Sequence, residues 1–556
     1  MGSRSLSSVP NPRLLASSVV ERLQKAWGES PFYEAQLRGP APDRLSHRPS
    51  EPYLGDKALG TAIAEGKLSV GTDAIDCQGE LGEVWRQLQR DTVLHGYLHR
   101  FAWLRQLAAL GEPGRAPARA LTAAWLDAYA RWTPDAWQPF LTGERLIALC
   151  CYSDLIVSDN DVLWKSRVLT SMARQTRHLA HAGHRAGAGY ERLMTSMALT
   201  IAGLSLPGCD PCVERGLELL RRELRLQIRP DGGHLSRNPS RQLEIVVRLR
   251  MVIAALEARR QEIPGFLTHV IGRASAHLQL FRVGDGGLAI FNGGAEDDPK
   301  ALTFALHYLD TDYEPVEFAR HSGFQRLEAH KSVLIVDAGV TRNGGGISGY
   351  LGDGAFHFSS GRARLITNCG GGVHLAGDWR DALRLAAAHS TLSSEPHAVF
   401  ASQLVGSSVN HRRGEDEDGH LLEVKRVLSA GGNGPAAAWE RRLFLAADGE
   451  DLRGQDTLIN PAPGLAANWR ARFHLHPSVK ASMSRDKRTV ILALSNGEGW
   501  RFRTNCKNLN IERSIYCGHG GAPQAAEQIV LSGDGLERPQ SGDMVIKWGF
   551  KCMSAG

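Results

Sequence analysis

Apolar residues recur at helical spacing through the first half of the chain and in short strand-like runs through the second. Leu163, Leu169, Met172, Ala173, Thr176, Leu179 and Ala180 fall on one helical face, with Arg167, Arg174 and Arg177 interleaved. The same spacing predicts helices over Leu81–Leu110, Ala120–Trp132, Thr142–Ile156, Leu193–Leu204, Val213–Gln227, Leu243–Ala258 and Phe266–Phe281. After about residue 285 the runs are Gly287–Phe291, Ser332–Val336, Ala363–Thr367 and Thr489–Leu494, separated by Gly, Asp and Asn turns.

Connections in the first half are short and marked by Gly or Pro, as at Gly111-Glu112-Pro113 and Leu206-Pro207-Gly208. Successive antiparallel helices joined this way build a bundle or a helical toroid. No long helical pattern interrupts the second half, which points to a sandwich rather than βαβ units. The resulting division is an extension over 1–50, a helical domain over 51–284 and a β domain over 285–556. A large ligand is expected in the crevice between an all-α and an all-β half.

Composition alters this picture little. A chain of 556 residues, 42% hydrophobic and 22% charged, is an ordinary globular protein of more than one domain. The net charge of +6 is spread without a Lys/Arg run. That argues against nucleic acid as a partner and is compatible with an acidic substrate. Nine scattered cysteines make no disulfide framework, and the lone pair Cys209 and Cys212 reads as a connection between helices. No apolar run is long enough to span a membrane, and the stretch through Leu14, Leu15, Val19 and Val20 is too interrupted for an export leader.

The densest polar chemistry lies in Asp231-Gly232-Gly233-His234-Leu235-Ser236-Arg237-Asn238-Pro239, between two helical segments. An imidazole, a guanidinium and an amide beside a Gly-Gly turn suit an anionic, sugar-like ligand. The alternatives are a capping histidine, a salt bridge from Arg237 to a helix carboxylate such as Glu244, and Asn238 as the cap of the next helix. Arg174, Arg177 and His178 form a basic stripe, either a solvated face or a groove wall. His474 and His476 alternate on one strand, as a metal pair or as structural residues before Pro477. Gly284-Asp285-Gly286-Gly287 precedes a strand and is a turn, not a phosphate loop. The acidic tip of His411–Gly419 reads as a solvated hairpin turn.

Several motifs in order resemble the heparinase II/III family of bacterial polysaccharide lyases, in particular an alphaproteobacterial-type branch. They are Asp231-Gly232-Gly233-His234 with Ser236-Arg237-Asn238-Pro239, the run Gly284–Gly294, Ser322–Leu327 with Ile335–Gly339, Ala388–Leu392, Arg472–Pro477 and Asn496–Trp500. The resemblance implies an α+β multidomain fold, an incomplete (α/α) toroid followed by an antiparallel β-sandwich. It also implies β-elimination at a uronic acid, which needs a group neutralising the uronate carboxylate, a base for the C5 proton and an acid for the leaving oxygen. Some members hold a structural zinc through two histidines and an aspartate. Asp337 and His389 match two of those ligands, Gly323 stands where the first histidine belongs, and His321 is the neighbour that would replace it. The chain also departs from the family at two catalytic places. Tyr190-Glu191 stands where an Asn-His pair opens a helix, and Arg241 stands where a tyrosine is expected.

The expectation is therefore a lyase cleaving an acidic, uronate-containing polysaccharide, with His234, His321 and Tyr190 for proton transfer. Arg237, Asn238, Arg241 and Arg174 would bind substrate, and Asp337 with His389 would form a zinc or site-shaping pair. The alternative is a glycan-binding or envelope polysaccharide-assembly protein that kept the scaffold without the catalysis. The resemblance implies the cell envelope or periplasm; the absence of a visible leader leaves the cytoplasm as the other option.

Overall fold

The computed structural model describes residues 22, 25–307, 316–339, 349–371, 375, 377–394, 408–427, 438–459, 468–520, 522–533 and 542–553. The N-terminal stretch through Val20, read above for a leader, lies outside them. Among the described residues no helix is long and apolar enough to cross a membrane. The chain divides into two compact units. One runs to Glu223 and adds Met251–Glu262; the other joins Leu224–Arg250 to everything from Ile263 onward. The helical residues 224–250 and 263–284 thus belong with the strands.

Seven helices of thirteen residues or more are described: α1 (Arg115–Tyr129), α2 (Pro139–Cys151), α3 (Val162–Ala182), α4 (Tyr190–Ser205), α5 (Asp210–Gln227), α6 (Pro239–Ala258) and α7 (Gly265–Gln279). In α3 Leu169, Met172, Ala173, Thr176 and Leu179 of the anticipated face are buried, together with Val168, whereas Leu163, expected on that face, is exposed in the first turn. Asp161 caps this helix by accepting from Trp164 N at 3.1 Å. The core of the first unit gathers Trp103, Trp125, Trp137, Leu146 and Leu199. Cys209 and Cys212 are buried in the same cluster, where α5 begins.

The second unit contains two antiparallel eight-stranded sheets. Its strands are β1 (Phe324–Ala329), β2 (Ser332–Asp337), β3 (Phe356–Ser360), β4 (Ala363–Thr367), β5 (Leu392–Ser394), β6 (Ser408–Asp416), β7 (Gly419–Val427) and β8 (Ala438–Ala446). They continue as β9 (Asp451–Ile459), β10 (Trp469–Leu475), β11 (Lys480–Met483), β12 (Thr489–Ala493), β13 (Gly499–Thr504), β14 (Asn508–Tyr516), β15 (Gln524–Ser532) and β16 (Met544–Met553). One sheet has the order β11-β12-β13-β16-β9-β8-β7-β6; the other has β14-β15-β10-β4-β3-β2-β1, with β5 on β10. Leu334, Phe356, Leu443, Phe473, Trp500 and Phe550 share the core between them.

Strands β2, β3 and β4 are buried at every position, because their other face is covered too. Phe281, just past α7, packs edge-on against Phe324 at 4.7 Å between ring centroids, and Phe291 lies 5.2 Å from Phe324. The run Gly287–Phe291, anticipated as a strand, belongs to this cover: only Leu288 makes a bridge, to Arg282. Two short helices, Pro299–Leu306 and Gly377–Ala382, also lie within the β half. The acidic tip before Gly419 is the β6–β7 turn, where Asp416 Oδ1 accepts from Asp418 N and Gly419 N. One ion pair is sealed in the core: both Asp456 oxygens accept from Arg441 and, one each, from the Trp439 and Trp548 indoles. Every lone-pair direction of that carboxylate is therefore used.

Candidate functional site

The loop between α5 and α6 meets the start of β1 through Asp231. Its Oδ2 accepts from His321 N at 2.8 Å, Ser322 N at 2.7 Å and Ser322 Oγ at 2.8 Å, and Oδ1 accepts from Gly233 N at 3.2 Å. Burial raises the Asp231 carboxyl, but His277 nearby and these hydrogen bonds outweigh it and hold it below its ordinary value. The two glycines are steric necessities. A Cβ on Gly232, which has φ +81°, would stand 2.0 Å from Arg273 O; one on Gly233 would stand 2.7 Å from His277 Nε2. Gly232→Ala is expected to cost about 2 kcal/mol or more. An unchanged urea midpoint would show that the loop has another way to close.

His234 is fixed on every polar atom. Its backbone N donates to Gln242 Oε1 at 2.9 Å, Nδ1 accepts from Ser236 N at 3.1 Å, and Nε2 lies 3.0 Å from Gln227 Oε1. An amide oxygen only accepts, so the ring proton sits on Nε2. Burial, then Arg241 and Arg229, lower this imidazole to about 3, and it is 4% exposed. Gln242 completes the lock by donating to Gly232 O and Ala274 O. A ring whose lone pair already receives a backbone N–H has no free site for a substrate proton.

Arg237 turns inward. It adopts φ +55°, donates from Nε to Ser322 O at 2.8 Å, pairs through Nη2 with Asp337 Oδ1 and lies 4.9 Å over the Phe324 ring. A Cβ at Gly339 would occupy the place of that guanidinium. Asn292 Nδ2 donates to Arg237 O at 2.9 Å and to Asp337 Oδ2 at 3.4 Å. Asn238 caps α6, its Oδ1 accepting from Arg241 N at 3.1 Å, while its Nδ2 donates to Asn292 O. Both side chains expected to hold a substrate carboxylate thus work inside the unit. Arg241 follows in the first turn of α6 and is half-buried.

Asp337 is buried, and burial raises its carboxyl, with Arg237 and Arg426 opposing and Asp353 adding to the rise. Arg426 pairs with Asp353 at 2.8 Å, so two buried carboxylates face two guanidiniums. His389 is buried, its ring 6.0 Å from the Tyr350 ring. Burial lowers it to about 4 against the pull of Asp353 and a backbone bond with Leu383, and its Nε2 has no hydrogen-bond partner among the described residues.

These residues do not fit a zinc ion. Asp337 already has a cation in Arg237. Gly323, where a further ligand is expected, has φ +83° and would place a Cβ 2.2 Å from Gly339 Cα. Among the described residues the one trio of ligating side chains with ligand atoms within 4.8 Å involves neither Asp337 nor His389. His321, the expected replacement, is exposed. Its backbone N is held by Asp231 and its carbonyl by Arg229.

In the first unit, Arg174 pairs with Glu34 at 2.5 Å, Arg177 donates to Leu37 O and Pro40 O, and His178 bonds Tyr33 and Trp137 O. The basic stripe therefore fastens residues 33–40 onto α3. Tyr190 opens α4, half-buried, with its ring 6.3 Å from Phe140. The residues that organise the α5–α6 loop and that the sequence left without a role are Asp231, Gln242, His277, Asn292, Ser322, Asp353 and Arg426. Asp231, Asn292 and Ser322 stood inside quoted motifs; nothing local marks the others.

Residues 311–549 match the family described as heparinase II/III-like, C-terminal. FtsZ-localized protein C of Caulobacter vibrioides (strain NA1000 / CB15N) is 28% identical over 560 residues, covering 96% of this chain and 95% of that protein. Among solved structures, heparinase III matches with a TM-score of 0.68 at 15% identity, over 97% of this chain and 90% of that one. A mutant of heparan sulfate lyase HepC from Pedobacter heparinus matches with a TM-score of 0.60 at 13% identity, over 97% and 90%. These likenesses show the fold: a helical N-terminal part and a C-terminal antiparallel sandwich.

Proposed function

We propose, from the match of residues 311–549 to the heparinase II/III-like C-terminal family, that this chain keeps the lyase scaffold without the elimination chemistry and serves cell division as an envelope polysaccharide-assembly protein. The carrying observation is the inward closure of the polar loop: Arg237 is committed to Asp337, and both ring nitrogens of His234 are engaged. A uronate carboxylate needs a cation free to meet it, and C5–H needs a base with an open lone pair. By the family resemblance, Tyr190-Glu191 and Arg241 stand where the lyases carry an Asn-His pair and a tyrosine. The division role draws on the relative named for its localisation with FtsZ, matched along nearly its whole length.

A second reading, a uronate lyase, draws on His321. Its imidazole is exposed beside the Asp231-held turn, so it can meet a polymer from solution. In that reading His321 takes the C5 proton, the C5–H electron pair forms the C4–C5 double bond as the C4–O bond breaks, and water from solvent protonates the departing oxygen, leaving an unsaturated sugar.

Two measurements test the proposal. Purified protein incubated with a panel of uronate polysaccharides should give no new absorbance at about 232 nm, where the conjugated product absorbs. A fluorescent fusion in the native host should coincide with FtsZ at the division plane. Absorbance that rises with wild type and vanishes in His321→Ala would replace the proposal with the lyase reading; diffuse fluorescence would remove the division role.

A further inference from the structure

Away from the Asp231 loop, three separate stretches of the second unit bring two imidazoles and a carboxylate together. Glu296 belongs to the segment covering β4 and is pinned by its own backbone: its N donates to Gly518 O at 2.9 Å and its O accepts from Leu288 N at 2.7 Å. His476 follows β10, with its backbone N donating to Leu365 O. His519 lies in the turn after β14. His476 Nε2 lies 3.0 Å from Glu296 Oε1 and His519 Nδ1 lies 3.4 Å from Glu296 Oε2, and all three ligand atoms fall within 4.8 Å of one another. A tetrahedral zinc with bonds of about 2.0–2.1 Å has ligand-to-ligand edges of roughly 3.3 Å.

We propose that Glu296, His476 and His519 form a binding site for a divalent first-row transition cation of the zinc type. Nitrogen donors favour zinc, cobalt or nickel over calcium and magnesium. Three protein ligands leave the fourth position to water on the side of the exposed His519, the open arrangement.

The surroundings are built to orient these ligands. His476 Nδ1 is 2.7 Å from Ser478 Oγ, with Ser478 N at 3.2 Å. These contacts fix the ring with Nε2 turned toward Glu296. Tyr516 donates its hydroxyl to Glu296 Oε1 and packs edge-on against both rings, at 5.0 Å from His476 and 5.2 Å from His519.

The charges also leave room for a cation. Arg364 comes within 3.7 Å of Glu296, but it is already neutralised by Asp285, to which it donates from Nε at 2.6 Å and from Nη2 at 3.0 Å. The carboxylate of Glu296 thus carries the surplus negative charge of the group. His357 of β3 is fully buried and, among the described residues, makes no hydrogen bond through either ring nitrogen. Buried polar groups rarely stay unpaired.

The test uses the full chain, stripped with chelator and dialysed against zinc alone, with metal counted by mass spectrometry. Wild type should retain about one zinc per chain, and cobalt substituted for it should show the visible absorption of a tetrahedral centre. His519→Ala should lower zinc affinity by at least about tenfold while leaving the circular dichroism spectrum unchanged, because its side chain faces solvent. Glu296→Gln should do the same. Wild type that retains no zinc would overturn the site. So would zinc that persists in both variants, and zinc lost in Asp337→Asn but kept in His519→Ala would place the metal elsewhere.

Discussion

Arg237→Ala is expected to destabilise the second unit by about 3–5 kcal/mol, the usual cost of leaving one member of a buried ion pair unpaired. Asp337 would lose its nearest cation while staying 2% exposed, and Ser322 O would lose its donor. The loss has a characteristic pH dependence. Burial already raises Asp337, and removing Arg237 lets that carboxyl climb further. A carboxyl raised in the folded chain binds its proton there first, so the variant should regain stability as pH falls and lose it as pH rises through the folded value. Adding Asp337→Asn should recover at least about half of the deficit at neutral pH, since an amide needs no counter-charge. Urea midpoints of the single and double variants at neutral and mildly acid pH read all of this. A single variant as stable as wild type would mean that Arg237 is available to a ligand after all.

The unaltered protein should respond to acid in the opposite direction. Among the described residues seven histidines are buried with lowered values, two in the first unit and five in the second. Burial, reinforced by Arg145 and His95, lowers His99 to about 2, and burial lowers His178 to about 3. In the second unit burial likewise lowers His234 and His474 to about 3, His277 and His389 to about 4, and His357 well below its ordinary value. A base with a depressed folded value is protonated first in the unfolded chain. Its contribution is therefore complete above the ordinary value of 6.5 and is lost as pH falls toward the folded value. Each contributes about 1.4 kcal/mol per pH unit in that window, so the first unit should be about 4 kcal/mol less stable at about pH 5 than at pH 7, and the second at least as much. That is a large part of a domain's net stability. Thermal scans across the range should show both transitions moving down; a midpoint indifferent to pH over that window would mean that these rings are protonated in the folded chain.

What the sequence disclosed follows from how far each signal reaches. Helical spacing in Leu163–Ala180 and the change to short runs after residue 285 are local, and both survive in the structure. The Gly-Gly turn was legible as a turn, but its reason was not: the backbone of Arg273 and the ring of His277 lie on α7, more than thirty positions on. Arg237 and Asp337 are a hundred residues apart, so a salt bridge was foreseen and its partner was not. His234 stood out as an imidazole beside polar neighbours. Only coordinates could reveal that the N–H of Ser236 fills its lone pair. His474 and His476 alternate on one predicted strand, which leaves a metal pair and a structural role both open. They do separate things: His474 bonds Ser514 and Ala387 O inside the fold, while His476 reaches Glu296.

The face of β1–β4 opposite the sandwich core is roofed by residues that look, by pattern, as if they belonged to the other half of the chain. Phe281 closes over Phe324, Arg326 donates to the carbonyls of Leu280 and Arg282, and Gln242 of α6 ties the loop that anchors Ser322. A fragment cut where helix gives way to strand would strip that roof and wet β2, β3 and β4, three strands evolved to be dry on both sides. Any excision, fusion or shuffling of the β half has to carry residues 224–250 and 263–284 along with it, so the heritable module is longer than the stretch that looks like β.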